Sequence, residues 1–279
     1  MDEVGLGQLL QKARKKAGLT QQELCQKAGL SYSTLAKIER GAIKAPSIFT
    51  IQSIAGALST DLDSLMGESG SSSPKKRSQN GVKFVYFDIN GCLVEFFHPA
   101  FDKLADDTGK TADVIETAFW HLNDLACQGQ ITMSEFNDRF AERLAIEPVD
   151  WQSYYFEALN PVFEMQELLK WSSENYHVGL LSNIMPGFIK RMLQEAALPR
   201  LDYAQIIDSS EVGLTKPDPK IFELAGERAG VNPEEILFID DSRVNLMTAE
   251  KLGWKVIWFD SSRPAESVVR ISTALQPEE

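Results

Sequence analysis

Apolar positions along the first 66 residues recur at helical spacing. Leu6, Leu9, Leu10, Ala13 and Ala17 form a stripe with Lys12, Arg14, Lys15 and Lys16 around it, as in an amphipathic helix, and Gly18 stops it. Thr20, with Glu23 three residues on, reads as a capping box for a helix from Gln21 to Ala28 that ends at Gly29. Ser31 or Ser33 begins the next helix, Tyr32 to Arg40, stopped by Gly41. Pro46-Ser47 opens a fourth carrying Ile48, Ile51, Ile54, Ala55 and Leu58, and Leu62, Leu65 and Met66 close a bundle of five helices over residues 1–67. Two helices joined by a turn at Gly29 are the helix-turn-helix arrangement.

Residues 68–80 lack apolar side chains and are rich in Ser and Gly, the composition of a flexible linker. The period then changes. Phe84-Val-Tyr-Phe87 is a short aromatic and β-branched run, as expected of a strand buried on both faces. It ends at Asp88 and the turn pair Asn90-Gly91. Residues from about 95 to 160 return to helical spacing, with Phe101 and Leu104, then Ile115, Phe119 and Leu122, then Phe136, Phe140 and Leu144 on apolar faces. Thr132 to Glu135 is a second capping box. Helices at 162–173, 188–197, 219–229 and 243–252 then alternate with strands at 177–181, 204–207, 236–239 and 256–259. That alternation predicts a parallel, doubly wound α/β sheet over 81–279, interrupted by a helical insertion.

Composition adds a compartment and a division of charge. The length of 279 residues suits about two domains. No apolar run approaches the ~20 residues that span a bilayer, and Met1-Asp-Glu lacks the features of a signal peptide. The three cysteines Cys25, Cys92 and Cys127 are widely spaced and odd in number, which points to a reducing compartment. The expectation is a cytoplasmic protein with no membrane partner. Net charge is −12 but uneven: residues 1–80 carry 11 basic against 7 acidic side chains, residues 81–279 carry 17 against 33. The acidic part repels nucleic acid, so DNA binding belongs to the first 80 residues.

Asp88 stands where open α/β sheets bind ligands, at the carboxyl end of a buried strand; an apolar run, Asp and Asn-Gly alone also read as a hairpin. Leu180-Leu-Ser-Asn183 is a second apolar run ending in a hydroxyl and an amide. Leu214-Thr-Lys-Pro-Asp218 puts a lysine at a turn, and Ile236-Leu-Phe-Ile-Asp-Asp-Ser242 ends in two acids. This order resembles the haloacid dehalogenase-like (HAD) hydrolase superfamily, from about Gly81 to the C-terminus. The resemblance implies a Rossmann-like sheet whose insertion, about 95–160, is a helical cap of the subfamily I type that selects substrate and excludes water. It implies Asp88 as nucleophile toward phosphate. It implies Mg²⁺ held by Asp88, the backbone carbonyl of Asn90 and Asp241, with Asp240 acting through water. Ser182, with the neighbouring amides, would bond phosphoryl oxygens beside Asn183, and Lys216 would neutralise charge. Asn245 matches the pattern without a certain role. His98, Trp120, His121, Trp151, Tyr154 and Tyr155 fall in the cap and read mostly as packing.

In the first domain Leu19-Thr-Gln-Gln-Glu-Leu24, Ala28-Gly-Leu-Ser31, Leu35-Ala-Lys-Ile-Glu-Arg-Gly41 and Pro46 are similar to the phage-repressor (Cro/CI, or XRE) type of DNA-binding domain. The resemblance implies that Tyr32 to Lys37 enter the major groove of double-stranded DNA, with Tyr32, Ser33 and Lys37 facing bases and Ser31 at the helix start. Gln21, Arg40 and Lys44 would contact phosphates. Such domains usually bind as homodimers on half-sites about 34 Å apart. The alternative is a small protein-interaction bundle with a solvated charged face.

One position departs from the HAD pattern. Two residues after the nucleophile, HAD phosphatases usually carry a second aspartate that protonates the leaving group and then activates water; here it is Asn90. An amide exchanges no proton at neutral pH, and general acid–base help contributes about 10²–10⁴-fold. Two readings follow. In the first, a DNA-binding regulator senses a phosphorylated small molecule through a HAD-like domain of weak or absent phosphatase activity. In the second, an active Mg²⁺-dependent HAD hydrolase carries an accessory helix-turn-helix domain.

Overall fold

The computed structural model describes residues 7, 10–11, 13–15, 17–43, 46, 48–58 and 75–277. The chain divides into two compact units, Met1–Ser73 and Pro74–Glu279. In the first, α1 (Gln21–Ala28) carries the expected capping box: Glu23 N–H donates to Thr20 Oγ1 at 3.2 Å and Thr20 N–H to Glu23 Oε2 at 2.7 Å. Gly29 ends it at φ 65°, the left-handed conformation that glycine adopts at no steric cost. Ser31 caps α2 (Tyr32–Glu39) by accepting from Thr34 N–H at 3.1 Å. With α3 (Ile48–Ala57) these helices bury Leu24, Leu35 and Ile54 completely, together with Leu10. The expected fifth helix at Leu62, Leu65 and Met66 lies outside the described residues.

The second unit is built on a five-stranded, all-parallel sheet in the order β3-β2-β1-β4-β5. Its strands are β1 (Phe84–Phe87), β2 (His177–Ser182), β3 (Gln205–Asp208), β4 (Ile236–Asp240) and β5 (Lys255–Trp258). Helices cover both faces, so β1, and β4 up to its terminal Asp240, are apolar rather than alternating. Val85 and Phe87 join one core cluster, and Phe84 and Tyr86 the other. Gly179 on β2 makes room for the Tyr86 ring: a Cβ there would lie 2.6 Å from Tyr86 Cε1. Tyr86 in turn donates its hydroxyl proton to Ala225 O at 2.8 Å.

The insertion leaves the sheet after β1 and forms four helices, α4 (His98–Thr108), α5 (Ala112–Cys127), α6 (Met133–Leu144) and α7 (Trp151–Glu157). Their core is aromatic. Trp151 is fully buried, stacked on Phe101 at 5.2 Å and tilted against Phe119 at 4.8 Å. Bridges Asn90–Val94 and Val94–Pro161 tie the departing and returning chain together. Then follow α8 (Phe163–Asn175), α9 (Phe188–Gln194), α10 (Ser209–Val212), α11 (Pro219–Ala229), α12 (Arg243–Lys251) and α13 (Pro264–Ala274).

The structure adds α13, for which the sequence pattern gave no element. The expected linker also needs correction. Lys76 N–H donates to Asn175 O at 2.6 Å, Gln79 N–H donates to Gln276 O at 2.8 Å, and Ser78 bridges Pro277. Residues 75–80 therefore belong to the second unit. They carry no apolar side chains, and hydrogen bonds hold them, with Ser78 fully buried and its Oγ accepting from Val82 N–H at 2.9 Å.

Candidate active site

The carboxyl ends of β1, β2 and β4 bring Asp88, Ser182 and Asp240 together, and the loop after α10 adds Lys216. Asp88 follows β1 directly, and its Oδ1 accepts from Ile89 N–H at 2.7 Å, Ser182 Oγ at 2.8 Å and Lys216 Nζ at 2.9 Å. Lys216 also pairs with Asp240 Oδ2 at 2.6 Å. Asn183 fixes the lysine loop by its backbone: Lys216 N–H donates to Asn183 Oδ1 and Asn183 Nδ2 to Lys216 O, both at 2.7 Å. In this structure Asn183 therefore positions Lys216. Asn245 acquires a definite place, with Nδ2 3.1 Å from both oxygens of Asp240, whose Oδ1 also accepts from Ser242 N–H at 2.6 Å.

Asp241 completes an acidic cluster. One ligand atom each from Asp88, Asp240 and Asp241 lies within 4.8 Å of the others. Gly91 makes this approach possible: its φ is +82°, and a Cβ there would fall 2.1 Å from Asp241 Oδ2. Three buried or half-buried carboxylates share one ammonium. Burial, opposed by Lys216 and reinforced by Asp240 and Asp241, pushes the Asp88 carboxyl up to about 7. Burial and Asp240 push Asp241 up to about 6. Burial disfavours the Lys216 ammonium, but Asp240 and Asp88 outweigh it and hold its pKa above the usual lysine range. The excess negative charge and the oxygen-only donor set suit a hard divalent cation such as Mg²⁺.

Asn90 lies across from the cap. The Tyr155 hydroxyl, on α7, donates to Asn90 Oδ1 at 2.5 Å. Tyr155 is buried, and that burial raises its phenol pKa, so it remains a donor. Both residues line a cavity of about 350 Å³ that also receives Asp88, Lys216 and Asp241. Trp120 and Trp151 line it too, whereas His98 lies on a neighbouring hollow and Tyr154 donates to Asp107 at 2.9 Å. The Tyr155–Asn90 bond joins residues 65 apart. The sequence carries no local sign of it beyond a tyrosine on an otherwise apolar helix face.

In the first unit, Tyr32, Ser33 and Lys37 project from α2 and are exposed, Tyr32 at 55%. Ser31 is engaged as the cap of that helix. Gln21 uses one amide proton on Glu39 Oε2 at 2.7 Å, and Arg40 Nε donates to Ala36 O at 3.0 Å. Lys44 lies outside the described residues. Beneath this face, Arg14 grips Glu39 with Nε and Nη2 at 2.7 and 3.0 Å and donates Nη1 to Leu19 O at 2.8 Å.

The second unit is thus a capped, doubly wound α/β domain with an acid-and-lysine site at the strand ends, a hydrolase architecture. The chain belongs to the haloacid dehalogenase-like hydrolase family, whose model matches residues 82–253; residues 10–65 match a helix-turn-helix family. The chain is 31% identical over 207 residues to glyceraldehyde 3-phosphate phosphatase of Pyrococcus furiosus, covering 66% of this chain and 83% of the relative. It is 25% identical over 200 residues to (S)-2-haloacid dehalogenase 4A of Burkholderia cepacia, covering 64% and 83%. A HAD-family enzyme of Bacteroides thetaiotaomicron, solved as a magnesium complex, superposes with TM-score 0.56 at 27% identity, covering 68% of this chain and 98% of that one.

Proposed function

We propose that the chain is a DNA-binding transcriptional regulator whose second unit binds Mg²⁺ and a phosphorylated small molecule and turns it over slowly. The observation that carries this reading is Asn90, an amide in the site cavity whose Oδ1 is held by the Tyr155 hydroxyl. Relatives named as phosphatases of glyceraldehyde 3-phosphate and D-ribitol 5-phosphate support a phosphorylated small molecule as ligand.

The residues divide the work as follows. Three donors anchor Asp88 Oδ1, which leaves Oδ2 to attack phosphorus while the bond to the leaving alcohol breaks. Lys216 opposes the burial that raises the Asp88 carboxyl and offsets phosphoryl charge. Asp88, the Asn90 carbonyl and Asp241 would hold Mg²⁺, with Asp240 behind; when bound it offsets the anionic charge of nucleophile and phosphate. The departing oxygen needs a proton, and the water that later attacks the aspartyl-phosphate must lose one. Asn90 can do neither, so the adduct persists. DNA contact falls to the exposed α2 residues Tyr32, Ser33 and Lys37, in a dimer on two half-sites.

The test is turnover of phosphomonoesters and acetyl phosphate with Mg²⁺. Wild type should be slow, Asn90→Asp faster by about 10²–10⁴-fold, and Asp88→Ala inert. Fast wild-type turnover that Asn90→Asp leaves unchanged overturns the sensor reading. It would favour the second reading, an active phosphatase with an accessory DNA-binding unit, for which the otherwise complete acid-and-lysine site speaks. On the DNA side, Lys37→Ala should weaken binding to a selected operator; unchanged affinity sinks the assignment of α2.

A further inference from the structure

The cavity walls carry information about the alcohol half of the ligand. Its cap side is aromatic, with Phe96, Phe119 and Trp120 among the lining residues. Trp120 stands edge-on to Phe119 at 5.1 Å and stacked with Phe96 at 6.2 Å. Four residues further along α5, on the same helix face, Asp124 also lines the cavity. The carboxylate of Asp124 meets the side-chain amide of Asn123 at 3.4 Å, and among the described residues no ion pair includes it. Lys216 is the one cation among the lining residues, and its ammonium is already paired with Asp88 and Asp240.

A neighbouring hollow has the same character. A hollow of about 800 Å³ shares Phe96, Trp120 and Asp241 with the cavity and adds Glu95, Glu164 and His98. An anionic alcohol would meet carboxylates and find no free counter-charge. A cationic one would meet aromatic faces, whose negative quadrupoles attract it, and a carboxylate with no cation partner.

We propose that this cavity selects phosphomonoesters whose alcohol carries a positive charge, an amino or quaternary ammonium alcohol. The proposal rests on the reading of the site as one for phosphate and Mg²⁺. It assigns Asp124 and Trp120 as specificity residues distinct from the groups that face phosphorus.

Calorimetric titration of the full-length protein with Mg²⁺ tests it, with inorganic phosphate, phosphocholine, glycerol 3-phosphate and phosphoglycolate as probes. Phosphocholine should bind roughly tenfold tighter than glycerol 3-phosphate, and phosphoglycolate weakest of the three esters. Asp124→Asn is nearly isosteric at an exposed position, so folding is not at stake. It should remove most of the preference and leave affinity for inorganic phosphate unchanged. Equal or tighter binding of the neutral or anionic ester overturns the proposal, as does a preference that survives Asp124→Asn. If inorganic phosphate itself fails to bind, the phosphate reading of the site falls and this one with it. Phosphate binding without charge preference defeats this inference alone.

Discussion

Each unit buries a cluster of charges, and the two clusters are balanced differently. In the first unit one guanidinium meets one carboxylate. Arg14 and Glu39 form two hydrogen bonds, Leu19 O takes a third guanidinium proton and Gln21 supplies a further donor to Glu39. That network is neutral, one cation matched to one anion by hydrogen bonds, as a structural charge pair must be. In the second unit one ammonium faces three carboxylates, and burial together with Asp240 raises the pKa of two of them, Asp88 and Asp241. Uncompensated charge in a cavity calls for a partner from outside. Charge balance, more than the mere presence of buried ions, is what distinguishes the two clusters.

Substitution in pairs tests this contrast most severely. Glu39→Ala leaves Arg14 buried without its partner and should cost the first unit about 3–5 kcal/mol. The double change Arg14→Met with Glu39→Leu should recover most of that loss, because both charges leave together. Lys216→Met should cost the second unit a similar ~3–5 kcal/mol, but Lys216→Met with Asp240→Leu should not recover it, since Asp88 and Asp241 remain. Hydrogen exchange of the full-length chain, read unit by unit, measures all four variants. Recovery in the second pair would mean that the lysine site is as self-contained as the arginine pair.

The two clusters also differed in how far they could be read from sequence. Asp88, Ser182, Asp240 and Asp241 sit at or near strand ends, so the run of apolar residues before each marks its place, whereas Lys216 stood out only as a lysine at the turn Leu214–Asp218. The alternation of helix and strand likewise gave the parallel sheet. Interactions across long stretches of chain were not legible. Tyr155 meets Asn90 through the docking of cap on sheet, and no local pattern encodes that distance in sequence. Residues 75–80 read as linker because backbone hydrogen bonds, which composition does not reveal, attach them to the second unit. Helix α13 escaped notice because its sequence, PAESVVRISTA, buries only Ser267 and Ile271, a face too narrow for a clear helical stripe.

Metal affinity sharpens the contrast at a smaller scale. If the three carboxylates await a cation, Mg²⁺ should raise the melting temperature of the second unit, and Asp241→Asn should abolish the rise. Gly91→Ala acts on the same carboxylate without removing it. The added methyl would lie 2.1 Å from Asp241 Oδ2 at a backbone φ of +82°, so the carboxylate or the loop must shift. Mg²⁺ affinity should fall about 10–100-fold, the usual cost of disturbing the groups that orient a metal ligand. Unchanged affinity would show that Asp241 is not a ligand.

The smallest effect concerns the first unit, whose buried charges are matched one to one. Thr20→Ala removes the side-chain half of the α1 capping box, the acceptor of Glu23 N–H at 3.2 Å, and should cost about 1 kcal/mol. Thr20 is exposed and apart from the Arg14–Glu39 pair, so this loss should add to that of Glu39→Ala within about 0.5 kcal/mol. Both are read from exchange protection in α1 and α2. Strong non-additivity would mean that the cap and the ion pair form one cooperative network through Gln21, the α1 residue that reaches Glu39. In that case a protein or DNA contact at the start of α1 would bear on the buried pair directly, and the first cluster would no longer be a purely structural one.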